Sequence, residues 1–133
     1  MIKKNIKYTD FDGMEKSEDF YFNLSETELT KLDAKYDGGL QGMLQKIVDA
    51  KDIKNIMEMF SLVLHLAYGE KSSDGKHFWK KDNNGHDLAD AFEQTAAYDV
   101  LFTELLSDPE YAAVFIQGII PAKRGEAAPV QVK

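Results

Sequence analysis

Two runs at the start of the chain alternate apolar and polar residues with the two-residue period of a β-strand. The turn signal Phe11-Asp12-Gly13 separates the runs, so they predict a β-hairpin. Residues that pair directly share a face, and a two-residue loop would pair even with odd positions. We therefore predict a three-residue loop, Phe11-Asp12-Gly13, with Gly13 in a bulge. The inward residues are even-numbered: Ile2, Ile6, Tyr8, Phe20, Phe22 and Leu24.

A lone hairpin is marginally stable in water, so its apolar face must pack on helices or on a second copy. The chain after Leu24 supplies those helices. Ser25-Glu26-Thr27-Glu28 is a capping box, and Gly38-Gly39 ends the helix that it starts. A second helical stripe follows, interrupted by the poor helix former Gly42. Its members are Leu40, Met43, Leu44, Ile47 and Val48.

Asp52 caps the third predicted helix, and Gly69 ends it. This helix is apolar around much of its girth, because a second stripe runs beside the main one. Such a helix lies centrally in a bundle or keeps one face for a partner. The main stripe is Ile53, Ile56, Met57, Phe60, Val63, Leu64 and Tyr68, and the second is Met59, Leu62 and Leu66.

Residues 70–86 read as an exposed loop, with an extended piece near Lys76–Lys80. Asp87 begins a short helix, and another helical stripe follows Thr95. Asp108-Pro109 then marks the start of a last helix, which Pro121 stops. The inward residues of these helices are Leu88, Ala91, Phe92, Tyr98, Leu101, Phe102, Leu105, Ala112, Phe115, Ile116 and Ile119.

These elements predict an α+β fold: a mostly α-helical bundle of five to six short helices with an N-terminal β-hairpin. The 133 residues suit one domain. We expect a single globular domain over 1–121, with the hairpin in 1–24 and the helices in 25–121. Residues 122–133 lack periodicity and are expected to form a disordered tail.

The composition removes several functional classes. Without cysteine the chain has no disulfide or thiolate chemistry, and the formal net charge of −7 disfavours nucleic acid as a main partner. No leader and no membrane span is expected, which suggests a cytoplasmic protein. His65, His77 and His86 lack metal-ligand spacing, and Ser72 and Ser73 beside His77 lack a nucleophile elbow. We therefore predict neither an enzyme nor a cofactor or metal site.

Protein binding is the class that remains. Methionine adapts to hydrophobic partners, and the two-sided third helix offers a lining for a groove. A structural interpretation stays open, in which the same methionines only fill the core. The aromatics between Lys76 and Lys81 also allow single-strand nucleic-acid binding, although a loop with packed aromatics and solvated lysines is favoured. The predicted protein-binding residues are Met57, Met59, Leu62, Leu66, Phe78 and Trp79.

Several ordered stretches resemble one known family. They are Tyr8-Thr9-Asp10-Phe11-Asp12-Gly13 with Phe20-Tyr21-Phe22-Asn23-Leu24, Ala67 to Gly75 with Phe78, Phe92-Glu93-Gln94-Thr95-Ala96-Ala97-Tyr98 with Leu101-Phe102-Glu104-Leu105, and Phe115-Ile116-Gly118-Ile119-Ile120-Pro121. Over residues 1–121 the chain resembles the tail assembly chaperones of long-tailed, siphovirus-type bacteriophages.

The resemblance implies a protein that binds the tape measure protein, keeps it soluble and helps recruit tail tube subunits. It also implies action in the host bacterial cytoplasm and absence from the mature virion. The alternative is a small structural tail completion or adaptor protein that stays in the virion. The edge of the hairpin adds a route to self-association by strand addition, which would give rings or spirals.

Overall fold

The computed structural model describes residues 1–40, 42, 45, 49 and 52–120, and the backbone of 130–132. It confirms the α+β class. The elements in chain order are β1 (Ile2–Thr9), β2 (Glu15–Phe22), α1 (Glu26–Lys35), α2 (Ile53–Ala67), β3 (Tyr68–Lys71), β4 (Phe78–Trp79), α3 (Leu88–Phe92), α4 (Ala96–Ser107), α5 (Pro109–Ile119) and β5 (Val130–Val132).

The hairpin has the predicted register and loop. Every even-numbered residue of β1 pairs with an even-numbered residue of β2, from Ile2 with Phe22 to Tyr8 with Lys16. The loop closes where the Gly13 N–H donates to the Asp10 carbonyl at 3.0 Å, and Gly13 has a φ of +81°. Glycine adopts this left-handed conformation without the steric cost of a Cβ.

The hairpin lies inside a larger sheet with the strand order β4-β3-β2-β1-β5. Strand β3 pairs antiparallel with β2 at Tyr21 and Phe22, and β4 pairs with β3. The predicted loop over 70–86 therefore contains strand pairing, and Phe78–Trp79 is the expected extended piece. Helix α2 ends at Ala67 rather than at the predicted Gly69, because Tyr68 is already the first residue of β3.

The predicted helix starts are confirmed where capping chemistry marks them. At α1 the Ser25 hydroxyl accepts from the Glu28 N–H at 3.1 Å, and the Glu28 carboxylate accepts from the Ser25 N–H at 2.9 Å. Asp52 and Asp108 cap α2 and α5 through their carboxylates. Of the stripe predicted over residues 40–48, Leu40 is helical and buried, and Met43, Leu44, Ile47 and Val48 lie outside the described residues.

The core forms where the inner face of the sheet meets the helices. Helices α4 and α5 pack on β1, so the hairpin face is covered by helices, as expected. An aromatic cluster joins the layers: Phe22 lies 5.3 Å from Phe115 between ring centroids, and Tyr68 stacks on Phe92 at 4.2 Å. Burial raises the pKa of Tyr68 to about 12.

The expected disordered tail does not extend to Val130–Val132. These residues form β5, parallel to β1, with Val130 beside Ile2 and Val132 beside Lys4. Valine favours strands, but three residues are too few for a periodic signal. Residues 121–129 and 133 lie outside the described part of the chain, and the division into a domain over 1–121 and a tail stays a prediction.

Candidate protein-binding surface

The first turns of α2 carry large apolar side chains that are exposed. Ile53 is 68% exposed and Met57 is 40% exposed. Residues four apart lie on one face of a helix, so the two side chains form a continuous ridge. Large apolar groups left in water cost free energy, and contiguous ones mark contact sites. Met57 is one of the six predicted binding residues, whereas Ile53 belongs to the same main stripe but is not among the six.

The second predicted stripe of α2 faces inward. Met59 is 5% exposed and belongs to the core, and Leu62 and Leu66 are partly buried against it. The helix is apolar on two sides because the sheet and the later helices pack around its C-terminal half. Met59, Leu62 and Leu66 therefore lie on one side of α2, where they pack in or against the core. They are not part of the exposed ridge formed by Ile53 and Met57.

Phe78 and Trp79, the other two predicted residues, lie on β4 with different surroundings. Phe78 packs over Gly69, where a Cβ would lie 2.4 Å from the ring. Trp79 is 49% exposed and stacks on His77 with 4.5 Å between the ring centroids. Trp79 is thus available to a partner, whereas Phe78 fastens β4 to β3.

Lys80 departs from the expectation that the lysines of this segment stay in water. Its ammonium donates to the Asn23 carbonyl at 2.9 Å, to the Leu66 carbonyl, and to the Glu28 carboxylate at 3.1 Å. Burial lowers the pKa of Lys80, and the Glu28 carboxylate partly offsets this effect. Lys80 therefore ties β4 to the end of α2 and to the start of α1, and its charge is engaged inside the molecule.

The tip of the hairpin is a second exposed apolar surface, which sequence reasoning missed. Phe11 is 83% exposed and Met14 is 62% exposed. The signal was present in the sequence, since a turn of Asp and Gly has no structural need for these side chains. Most residues of the outer half of the hairpin are exposed.

His65 of α2 lies between carboxylates of the α3 region. Its Nδ1 is 3.1 Å from Glu93 Oε1 and 3.9 Å from Asp90 Oδ1, and its Nε2 is 3.1 Å from Asp87 Oδ2. Burial opposes the charged ring, but the hydrogen bonds to Glu93 and Asp87 outweigh it and raise the pKa of His65. Asp87 also accepts from Lys81 at 2.7 Å, so its carboxylate does not cap α3.

The ligand atoms of His65, Asp90 and Glu93 lie within 4.8 Å of one another, which is compatible with a metal ion. The ion pairs of a charged imidazole account for the same geometry without one. A neutral imidazole donates only one hydrogen bond, whereas both ring nitrogens face carboxylate oxygens. The cluster therefore acts as a clamp between α2 and α3.

A buried lysine on the inner face of the hairpin pairs with a partly exposed carboxylate. Lys4 is 3% exposed, its ammonium is 3.1 Å from Glu104 Oε1 on α4, and it lies 5.0 Å from the ring centroid of Tyr111 on α5. Lys4 has the inward parity of Ile2 and Ile6, so the alternation already placed it on the core face. Its contacts join β1 to both helices that cover it.

Within the described ranges, no helix is long and apolar enough to cross a membrane. A family model described as phage tail assembly chaperone matches residues 1–131. No match was found among curated proteins or among solved structures.

Proposed function

The chain belongs to the phage tail assembly chaperone family, and on this basis we propose that it binds the tape measure protein and keeps it soluble. Family membership indicates a non-enzymatic role in the host cell during tail assembly. The finer proposal adds that the protein helps recruit tail tube subunits, acts in the bacterial cytoplasm and is absent from the mature virion. The match over residues 1–131 is the observation that carries the proposal.

The exposed ridge of α2 supports binding of a helical client. A long amphipathic helix exposes an apolar stripe before assembly, and an apolar ridge on a chaperone can cover part of it. Ile53 and Met57 supply such a ridge. The net charge of −7 favours solubility of the chaperone while its exposed apolar groups contact the client.

The six predicted binding residues divide into two roles under this proposal. Met57 and Trp79 contact the client, because both are exposed. Met59, Leu62, Leu66 and Phe78 hold α2 and β4 in place, because they pack inside the molecule.

Co-expression with tape measure protein tests the proposal. Wild-type chaperone should keep the tape measure protein in the soluble fraction, and Met57→Asp should reduce that fraction while the chaperone keeps its melting temperature. The neighbouring exposed Glu58→Gln is the matched control and should behave as wild type. Tape measure protein that stays insoluble beside the wild-type chaperone would contradict the proposal.

Met59→Asp provides the contrasting variant. It places a charge in the core and should cost several kcal/mol, so the chaperone itself should unfold. A folded Met59→Asp protein that fails only in client binding would move the binding surface to the second stripe.

Mass spectrometry of purified virions tests the remaining part of the proposal. A chaperone should be missing from the particle. Recovery in a fixed ratio to the tube protein would favour the alternative, a structural completion or adaptor protein.

A further inference from the structure

The carboxylates around His65 outnumber the cations that face them. Asp87 precedes α3, Asp90 lies within it and Glu93 follows it, and all three carboxylates approach the imidazole. Within the described residues, the cations paired with this cluster are His65 and Lys81. Three carboxylates against at most two positive charges leave the cluster with an excess of negative charge.

The Nε2 side of the His65 ring is held as in many metal sites. Nε2 is 3.1 Å from Asp87 Oδ2, and Asp87 Oδ1 accepts from the Lys81 ammonium at 2.7 Å. Lys81 therefore fixes Asp87 as the acceptor of a proton on Nε2. A histidine that binds a metal commonly donates its second ring N–H to a carboxylate, which orients the ring and makes the other nitrogen a stronger ligand.

The other ring nitrogen, Nδ1, faces two carboxylates at different distances. It is 3.1 Å and 3.2 Å from the two oxygens of Glu93, and 3.9 Å from Asp90 Oδ1. A lone pair on Nδ1 and these carboxylates repel each other, so the arrangement requires a cation between them. A proton on Nδ1 serves Glu93 but leaves Asp90 beyond hydrogen-bonding distance, whereas a metal ion can contact both.

Two elements bring these three ligands together. Asp90 and Glu93 are three residues apart and Glu93 keeps helical backbone angles, so both side chains lie on one face of α3. His65 comes from α2. The ligand atoms lie within 4.8 Å of one another. Ligand atoms bound at about 2.0–2.2 Å to one ion lie roughly 3–3.5 Å apart, so small side-chain rotations would complete the site.

We propose that His65 Nδ1, Asp90 and Glu93 bind a divalent transition-metal ion of the zinc class, which fastens α3 to α2. Imidazole nitrogen and carboxylate oxygens are ligands that Zn²⁺ accepts, whereas Mg²⁺ and Ca²⁺ prefer oxygen alone. The ion supplies positive charge where the carboxylates are in excess. The expectation of no metal site rested on the spacing of the histidines, and only one histidine takes part here.

The partial exposure of this site allows an ion to enter and water to complete its coordination. The side chain of His65 is 30% exposed and that of Asp90 is 60% exposed. His65 lies about two helical turns beyond the exposed ridge of α2, so the metal site is separate from the surface proposed for the client. Its test uses the purified chain alone, and its outcome is independent of client binding.

Calorimetric titration of the metal-free full chain with ZnCl₂ tests the site. Wild type should bind a single zinc ion, and zinc should raise the melting temperature because it binds the folded arrangement. Asp90→Asn should weaken zinc binding roughly tenfold or more. Without zinc this variant should melt close to wild type, because Asp90 is too far from the ring for a hydrogen bond. MgCl₂ should produce no comparable binding.

His86→Gln is the matched control, because His86 forms an exposed pair with Asp82 at 3.6 Å and could hold zinc adventitiously. This variant should bind zinc as wild type does. Long-range ¹H–¹⁵N NMR spectra of the zinc-loaded chain should show the proton of His65 on Nε2 and the metal on Nδ1. The signals of His77 and His86 should not change.

Four results would overturn the proposal. The first is a wild-type chain that does not bind zinc, and the second is weak binding shared among the three histidines, which would mean an adventitious ion only. The third is an affinity that Asp90→Asn leaves unaltered. The fourth is zinc bound to Nε2 of His65, because the carboxylates of Asp90 and Glu93 would then not be its ligands.

Discussion

The imidazole of His65 shows how one side chain can fix the position of a separate element. Its two ring nitrogens contact Glu93 and Asp87, which flank the short helix α3. A helix of five residues has little stability of its own, so such contacts determine whether it stays in place. The sequence predicts His65 as a core or partly buried residue of α2, which is where it lies, but its partners are 28 and 22 residues away along the chain.

His65→Gln should destabilise the protein in a pH-dependent way. The folded-state pKa of His65 is raised, so the clamp contributes fully below about pH 6.5, the ordinary histidine pKa, and its contribution is lost as pH rises through the raised value. In urea denaturation, the free energy of unfolding of the variant should be about 1 kcal/mol below that of wild type near pH 5.5, and the difference should be smaller near pH 9.

His86→Gln is the matched control for the clamp, because the His86 side chain is 74% exposed. It should leave the free energy of unfolding close to that of wild type at both pH values. If His65→Gln lost the same free energy of unfolding at low and high pH, packing of the side chain, and not the charge of the ring, would keep α3 in place.

Element boundaries followed from the sequence wherever the chemistry was local. The parity of the apolar residues fixed the register and loop length of the hairpin, and Ser25, Asp52 and Asp108 marked helix starts. The short strands β3 and β5 pair with residues far along the chain. Two to four residues carry no period, and their partners are chosen by tertiary packing, so the five-stranded sheet was not predictable.

Gly69 and Gly13 should respond differently to substitution. Gly69 lies where a Cβ would meet the Phe78 ring at 2.4 Å and the Trp79 carbonyl oxygen at 2.5 Å, so Gly69→Ala and Gly69→Asn should both cost about 2 kcal/mol. A Cβ at Gly13 meets nothing within 4 Å, and its cost is only that of a positive φ, about 1 kcal/mol for alanine.

Asparagine tolerates the left-handed conformation, so Gly13→Asn should recover part of the loss that Gly13→Ala causes. Chemical denaturation of the four variants measures the free energy of unfolding of each. If asparagine also recovered stability at position 69, close packing against Phe78 would not be the reason for a glycine there.

At the scale of the whole molecule, the described apolar residues separate into a core and exposed positions, which include the ridge on α2 and the hairpin tip. The sequence predicted the core well, because periodicity reports which faces are apolar. It could not tell Met57, which is exposed, from Met59, which is buried, since the covering elements are distant in sequence.

Removal of residues 130–133 should strengthen self-association. Strand β5 covers the β1 edge at Ile2–Lys4, so its loss lengthens the edge at which the sequence predicts self-association by strand addition. Sedimentation velocity should show larger species at a lower protein concentration than for the full chain. Removal of Lys133 alone is the control, because it keeps Val130–Val132, and it should assemble as the full chain does. If the shorter chain assembled less readily, β5 would have to support the contact, and the free edge of β1 would not be the surface that limits assembly.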